Sequence, residues 1–141
     1  MKRLLLSFVA AVLVVLPAQA DQEVSGDDAL AIRDVIERQL DAFKRDDGNE
    51  AFGYAAPGIQ DKFQSVEIFM EMVRTGYPAV YRSIDASFEA PRKIGETTIQ
   101  EVVVTGQTGE SFLAVYTMEQ QADGSWRING CSLFPVPDVQ V

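Results

Sequence analysis

The chain has 141 residues with no histidine and one cysteine, and its 21 acidic and 12 basic side chains give a formal net charge of −9. This length suits a single domain, and the negative charge argues against nucleic acid and anionic membranes as partners. Histidine is the most common general base and metal ligand, and a lone cysteine cannot form an internal disulfide. We therefore expect no metal and no cofactor.

Residues 1–20 have the pattern of a secretory signal peptide. Lys2 and Arg3 precede an apolar run, and Ala18-Gln19-Ala20 supplies the small residues of a cleavage site. The run is shorter than the ~20 residues that span a bilayer, so we expect no stable membrane insertion after cleavage. Cleavage after Ala20 predicts a periplasmic or secreted domain over 21–141, with its core at about 29–137. Its net charge is −11, because the signal removes two basic residues and no acidic one.

Helical spacing of apolar residues and capping signals predict three helices, over 26–46, 50–56 and 66–75. Ser25 and Ser65 are the expected N-caps of the first and third helices, because their hydroxyls accept hydrogen bonds from free backbone N–H groups. Pro57-Gly58 is expected to stop the second helix, which makes 59–64 an extended connector. A further turn is expected at 79–81, after the stop signal Tyr77-Pro78.

The alternating pattern in the remainder of the chain predicts four antiparallel strands. Residues 83–89 alternate, with Ile84, Ala86 and Phe88 pointing inward, and a turn at 91–95 leads into three strands between Thr97 and Phe134. Helices followed by a meander predict an α+β fold, in which the N-terminal helices pack on a curved antiparallel sheet.

The last three strands are joined by two similar loops, Gly106-Gln107-Thr108-Gly109-Glu110 and Gln121-Ala122-Asp123-Gly124-Ser125. Glycine in the third loop position is typical of a three-residue hairpin, a type I turn followed by a left-handed residue. A two-residue turn at Asp123-Gly124 is the alternative and would change the register.

Three-residue loops give the more consistent division into an inner and an outer face of the sheet. The register decides this division, because a shift of one residue moves every side chain of a strand to the opposite face. They place an uncharged set on the inner face: Val102, Val104, Phe112, Ala114, Tyr116, Met118, Trp126, Ile128 and Phe134. The outer face then pairs Glu119 with Arg127, a favourable cross-strand pair. Its members also include Ile99, Glu101, Val103, Leu113, Val115, Cys131 and Leu133. This apolar outer patch predicts a cover, either a second subunit or the chain's own helices or C-terminal tail.

The order of elements resembles the cone-shaped fold of nuclear transport factor 2, ketosteroid isomerase and the SnoaL-like cyclases. Four segments more closely resemble one bacterial family of unknown function that is grouped with the SnoaL-like proteins: Gly58-Ile59-Gln60, Gly76-Tyr77-Pro78-Ala79-Val80-Tyr81-Arg82, Leu113-Ala114-Val115-Tyr116-Thr117-Met118-Glu119 and Asp123-Gly124-Ser125-Trp126-Arg127-Ile128. The second of these is fairly specific, and the resemblance covers about 29–137. It implies a pocket between the sheet and the helices, and frequent homodimers. It implies no single chemistry and no functional residues.

Aromatic, methionine and amide side chains are the candidates for a ligand pocket: Gln39, Tyr54, Phe63, Phe69, Met72, Tyr77, Tyr81, Tyr116, Met118 and Trp126. They either line a pocket for an apolar ligand or fill the core. Arg74 and Arg82 flank the segment 76–81 and are candidates for contact with an anion or a partner, ordinary surface salt bridges being the alternative. Cys131 is expected to be a packed thiol, with a reactive thiol as the alternative.

These patterns predict a non-enzymatic domain, dimeric through its outer sheet face, that binds a small apolar molecule or a protein. The alternative is a small-molecule enzyme of the isomerase or dehydratase type. Such an enzyme needs a carboxylate base in the pocket, and neither the inward stripe of the first helix nor the predicted inner sheet face carries one.

Overall fold

A computed structural model describes residues 12–14 and 22–136. The predicted signal peptide and its cleavage site lie outside these residues, apart from 12–14. Residues 22–136 have the predicted α+β organisation, with helices preceding an antiparallel sheet. Within the described ranges no helix is both long and apolar enough to cross a membrane.

The described residues contain five helices: α1 Gly26–Lys44, α2 Gly48–Gly53, α3 Pro57–Phe63, α4 Val66–Gly76 and α5 Pro78–Tyr81. The Ser25 and Ser65 hydroxyls each accept a 3.2 Å hydrogen bond from a backbone N–H in the first turn of α1 and α4. Both predicted N-caps are therefore confirmed. Asp47 caps α2 by accepting from the Glu50 N–H at 3.1 Å.

The expected extended connector at 59–64 is wrong, because this segment is the helix α3. Pro57 begins the helix instead of ending one, since the first helical position needs no N–H donor and suits the fixed φ of proline. Gln64 ends α3 with a φ of 66°. Residues 54–56, between α2 and α3, run beside the sheet, where the Ala56 N–H donates to the Ile128 carbonyl at 2.8 Å.

The sheet has six strands in the described part of the chain: β1 Gln22–Glu23, β2 Ser83–Phe88, β3 Arg92–Ile94, β4 Thr97–Gly106, β5 Ser111–Gln120 and β6 Trp126–Pro135. Their order is β1-β3-β4-β5-β6, and β2 pairs with β4 next to β3. The predicted four-stranded meander therefore omitted β1 and β3. The expected turn at 91–95 instead contains β3, whose three residues are too short to show an alternating pattern.

Both three-residue hairpins are present. Gly109 and Gly124 have φ values of 82° and 87°, the left-handed conformation that glycine adopts without strain. The Gly124 N–H donates to the Gln121 carbonyl at 2.9 Å. The resulting register pairs Glu119 with Arg127, as predicted.

A bulge in β6 overturns the predicted faces beyond Ile128. Met118 pairs with Ile128 while Thr117 pairs with Gly130, which leaves Asn129 as an extra residue. An extra residue reverses the side on which the following side chains project.

The two outer-face residues Cys131 and Leu133 consequently pack toward the core. Phe134, predicted to be inside, is 51% exposed. A second irregularity between Ser83 and Asp85 leaves Ile84, also predicted inside, 63% exposed. Ala86 and Phe88 are half-buried against the core, as expected.

The core lies between α1 and the inner face of the sheet. Ile32, Ile36 and Phe43 of α1 are buried in the same cluster as Val102 and Met118. The helix has the apolar stripe that such packing requires. This side of the sheet also carries the cavity described next.

Candidate functional site

A cavity of about 590 Å³ lies between the helices and the inner face of the sheet. Its volume falls within the range of small-molecule sites, about 300–1,000 Å³. Most of its lining is apolar or aromatic: Phe43, Ala55, Ile59, Phe63, Phe69, Met72, Val73, Val80 and Ile128. Polar groups come from Gln39, Lys62, Tyr77, Tyr116, Asn129, Gly130, Cys131 and Ser132. Among the described lining residues none carries a carboxylate.

The lining residues of α3 and α4 have helical spacing, so each of these two helices turns one face to the cavity. Phe69, Met72 and Val73 of α4 stand three and four residues apart, so they project from one side of the helix. Ile59, Lys62 and Phe63 of α3 repeat this spacing. One face of α3 and one face of α4 therefore border the cavity, and β5 and β6 border it on the sheet side.

Tyr116 lies on the sheet floor of the cavity and is only 1% exposed. Its hydroxyl has no hydrogen-bond partner among the described residues. Burial raises the pKa of Tyr116 well above its usual value of 10, and the nearby Cys131 thiol adds to the shift. A thiol is a weak partner for a hydroxyl. A buried polar group left unpaired destabilises the folded state by about 1–3 kcal/mol.

Cys131 reaches the cavity because of the bulge at Asn129. Burial raises the pKa of its thiol to about 12. The thiolate is the reactive form of cysteine, and the raised pKa keeps this side chain protonated at neutral pH. Its position fits the packed thiol expected from the sequence.

Gln39 and Tyr77 are the other polar groups held in fixed positions. The Gln39 amide Nε2 donates to the Ala51 carbonyl at 3.1 Å. The Gln39 side chain also lines the cavity. The Tyr77 hydroxyl donates to the Cys131 carbonyl at 2.9 Å, and burial raises the pKa of Tyr77. This bond holds the start of α5 against β6.

The cavity brings together six of the ten residues that the sequence suggested for a pocket: Gln39, Phe63, Phe69, Met72, Tyr77 and Tyr116. The other four lie elsewhere. Trp126 donates from Nε1 to Asp28 Oδ1 at 3.2 Å, and the Tyr54 hydroxyl donates to Glu50 Oε1 at 2.9 Å. The Tyr81 hydroxyl bonds to Asp46. Met118 is buried in the core.

The two candidate anion-binding arginines are engaged within the chain. Arg82 donates from Nη2 to Asp46 Oδ2 at 2.8 Å and from Nη1 to the Phe43 carbonyl. It therefore ties the C-terminal end of α1 to the end of α5. Arg74 pairs with Glu71 at 2.9 Å on its own helix. Neither arginine lines the cavity, so the contacts of both arginines are structural, while Tyr77 and Val80 of the same segment do line it.

Sequence reasoning missed Lys62 and Cys131 as lining residues. The connector predicted over 59–64 gives Lys62 no place in the pocket, although proline at the first helical position and the spacing of Ile59 and Phe63 are signals that favour α3. Cys131 was missed because the bulge changes its face. Within the described residues no group of three or more histidine, cysteine or acidic side chains is placed to hold a metal ion.

Comparison with protein families matches residues 25–141 to the family described as Domain of unknown function (DUF4864). The expected membership of a family of unknown function is thereby confirmed. The chain matches no curated protein and no solved structure.

Proposed function

The chain belongs to the DUF4864 family, and we propose that it is a non-enzymatic binding domain whose cavity takes a small apolar molecule. The ligand carries an oxygen that accepts a hydrogen bond from Tyr116. The unpartnered Tyr116 hydroxyl in the cavity carries this proposal. We also propose that the domain is SnoaL-like, because helices cover the inner face of its antiparallel sheet.

The chemistry of the lining supports an apolar ligand with one polar group. Burial of apolar surface contributes about 25 cal/mol per Å², and aromatic walls such as Phe63 and Phe69 offer large surfaces for it. A ligand oxygen that accepts from Tyr116 would also remove the destabilising effect of its unpaired hydroxyl. A carbonyl, ether or alcohol oxygen meets this requirement.

The pKa values of the lining favour binding over proton transfer. General acid–base catalysis works best when the pKa of the group lies near the operating pH. Burial raises the pKa of Tyr116 well above 10, raises that of Tyr77, and raises that of Cys131 to about 12. These three groups therefore stay neutral near pH 7.

Two ligands of matched shape test the proposal by isothermal titration calorimetry. 2-Acetylnaphthalene has a carbonyl acceptor, and 2-ethylnaphthalene lacks one. We expect the ketone to bind about 5- to 10-fold more tightly, because a net hydrogen bond contributes about 1 kcal/mol. Tyr116→Phe should remove this preference. Tyr54→Phe is the matched control and should retain it, because Tyr54 lies outside the cavity.

Failure of both naphthalenes to bind would contradict the proposal. So would an equal preference for the ketone in the wild-type chain and in the Tyr116→Phe variant. An isomerase or dehydratase activity that disappears in this variant would favour the enzymatic alternative.

Export and cleavage after Ala20 form a second part of the proposal, supported by the pattern of residues 1–20. The intact mass of protein exported from its own cell should correspond to a chain that begins at Asp21. A mass that retains residues 1–20 would contradict it.

Dimerisation through the outer sheet face is the third part. Leu113 pairs with Val103 on one side and with Phe134 on the other, which makes a continuous apolar row across three strands. Phe134 is exposed at the end of this row. Light scattering coupled to size exclusion should give a dimer that Phe134→Glu converts to a monomer. A monomeric wild-type chain would rule out this part.

A further inference from the structure

We infer that the ligand of the cavity is an amphiphile, with an apolar body that carries the acceptor for Tyr116 inside the cavity and an anionic head at the Lys62 ammonium. The inference rests on the proposed function and adds the chemical class of the ligand. It comes from the position of Lys62, from the apolar side of α3 and from the absence, among the described residues, of a carboxylate at ion-pair distance from the Lys62 ammonium.

Lys62 occupies the side of α3 that faces the cavity. Ile59 and Phe63, three residues before and one residue after it, line the same space. The Lys62 Nζ stands 5.6 Å from the centroid of the Phe63 ring, which holds the ammonium near the aromatic wall. Lys62 is exposed while Tyr116 is buried, and both line the cavity. The cavity therefore extends from the solvent to the sheet.

Lys62 is the one charged side chain among the described lining residues. The arginines that form ion pairs are held by carboxylates of the chain itself: Arg33, Arg38, Arg45, Arg74, Arg82 and Arg92. Within the described part of the chain, Lys62 has no carboxylate at ion-pair distance. On a chain with a net charge of −9, an unpaired cation beside the cavity is a local attraction for an anion that most of the surface repels.

The apolar side of α3 supports an alkyl body. None of the seven residues of this helix is fully buried, although Ile59 and Phe63 point toward the cavity. Both side chains are only half-buried. An alkyl chain lying in the cavity would cover them and remove further apolar surface from water.

Four probes with the same alkyl chain separate the contribution of the head group. Dodecanoate and dodecyl phosphate are anionic, dodecan-1-ol is neutral, and dodecyltrimethylammonium is cationic. Binding is measured by calorimetry at pH 7.5, below the micelle concentration of each probe. The ionic strength is then raised at a fixed probe concentration.

Both anions should bind about 2- to 5-fold more tightly than the alcohol, the size expected for an exposed ion pair, and the cation should bind most weakly. The advantage of the anions should shrink as salt screens the charges. Lys62→Gln should remove this advantage and leave the alcohol unchanged. Lys93→Gln removes an exposed positive charge on β3, away from the cavity, and should change nothing.

The relative affinities of the carboxylate and the phosphate identify the preferred head group. Equal affinity for the alcohol and the anions, with no effect of Lys62→Gln, would overturn the inference and leave the proposed function standing. An equal effect of Lys62→Gln and Lys93→Gln would also overturn it, because only the overall charge would matter. Failure of both naphthalenes to bind would instead overturn the proposed function, on which the inference rests.

Discussion

Trp126 at the start of β6 and Cys131 beyond its bulge differ in how completely the space around their side chains is filled. Before the bulge, Trp126 is buried beneath α1, and its indole N–H is bonded to Asp28. After the bulge, Cys131 borders a cavity together with the unpaired Tyr116 hydroxyl. One strand thus contributes both to the packed core and to the candidate site.

This contrast separates the side chains that mainly stabilise the fold from those that are available to a ligand. A side chain that fills a packed core contributes several kcal/mol, because its truncation leaves a cavity. A side chain that borders existing space contributes less packing and is available to a ligand. The extra residue at Asn129 determines which side chains face inward in the part of β6 that follows it.

The largest expected effect is on the packed side. Trp126→Ala should lower the free energy of unfolding by about 3–5 kcal/mol, as truncation of large aromatic residues in cores does. Denaturant unfolding measures this change. Trp126→Phe keeps a ring in place and should lose less. A loss below 1 kcal/mol for the alanine variant would mean that this part of the sheet is not tightly packed.

A smaller loss is expected at the bulge itself. A Cβ atom on Gly130 would lie 2.9 Å from the Thr117 Oγ1 on the neighbouring strand, and the β-branched threonine has little freedom to move aside. Gly130→Ala should therefore lower the free energy of unfolding by about 1–3 kcal/mol. Removal of the hydroxyl in a Thr117→Ala background should reduce this loss. An equal loss in both backgrounds would argue against the contact.

Much of the structure around Trp126 can be predicted from local sequence signals. Ser25 and Ser65 cap helices, and glycine in the third loop position fixes both hairpins, because each signal acts within a few residues. The position of Trp126 follows from the hairpin register. Its partner Asp28 is 98 residues away in the chain, and no local pattern indicates that bond.

The cavity side follows less well from the sequence. The bulge is held by backbone bonds between Ile128 and residues before α3, and by the bond of Tyr77 to the Cys131 carbonyl. These are tertiary contacts, so alternation along β6 assigns Cys131 and Phe134 to the wrong faces. Tyr54 and Tyr81 look like pocket residues by type, yet their hydroxyls are bonded to carboxylates, Glu50 in α2 and Asp46 in the turn between α1 and α2.

High pH should destabilise the cavity side through Cys131. Burial raises the pKa of this thiol to about 12 in the folded chain, from an ordinary value of 9.0. The unfolded thiol therefore loses its proton first, and the stabilisation present below pH 9 declines as the pH rises from 9 toward 12. The slope is at most about 1.4 kcal/mol per pH unit. Cys131→Ala should flatten the decline between pH 9 and 10. An unchanged decline in that variant would exclude this cause.

The smallest effect is expected at the exposed end of the sheet. Glu119 lies opposite Arg127, but Arg127 Nη1 also donates to the Gly53 carbonyl at 2.5 Å. Exposed pairs of this kind contribute under about 1 kcal/mol, so Glu119→Ala should change the free energy of unfolding by less than that. A loss comparable to that of Trp126→Ala would argue against the assigned hairpin register.

The central claim is that, among the described residues, the buried Tyr116 hydroxyl has no partner stronger than the nearby Cys131 thiol until a ligand supplies one. The free energy of unfolding of Tyr116→Phe, measured at pH 7 on ligand-free protein, tests it most directly. Removal of an unpaired buried hydroxyl should raise the free energy of unfolding by about 1 kcal/mol, because the folded state no longer carries an unsatisfied donor. A decrease of similar size would contradict the account, because the hydroxyl would then already be hydrogen-bonded in the empty cavity.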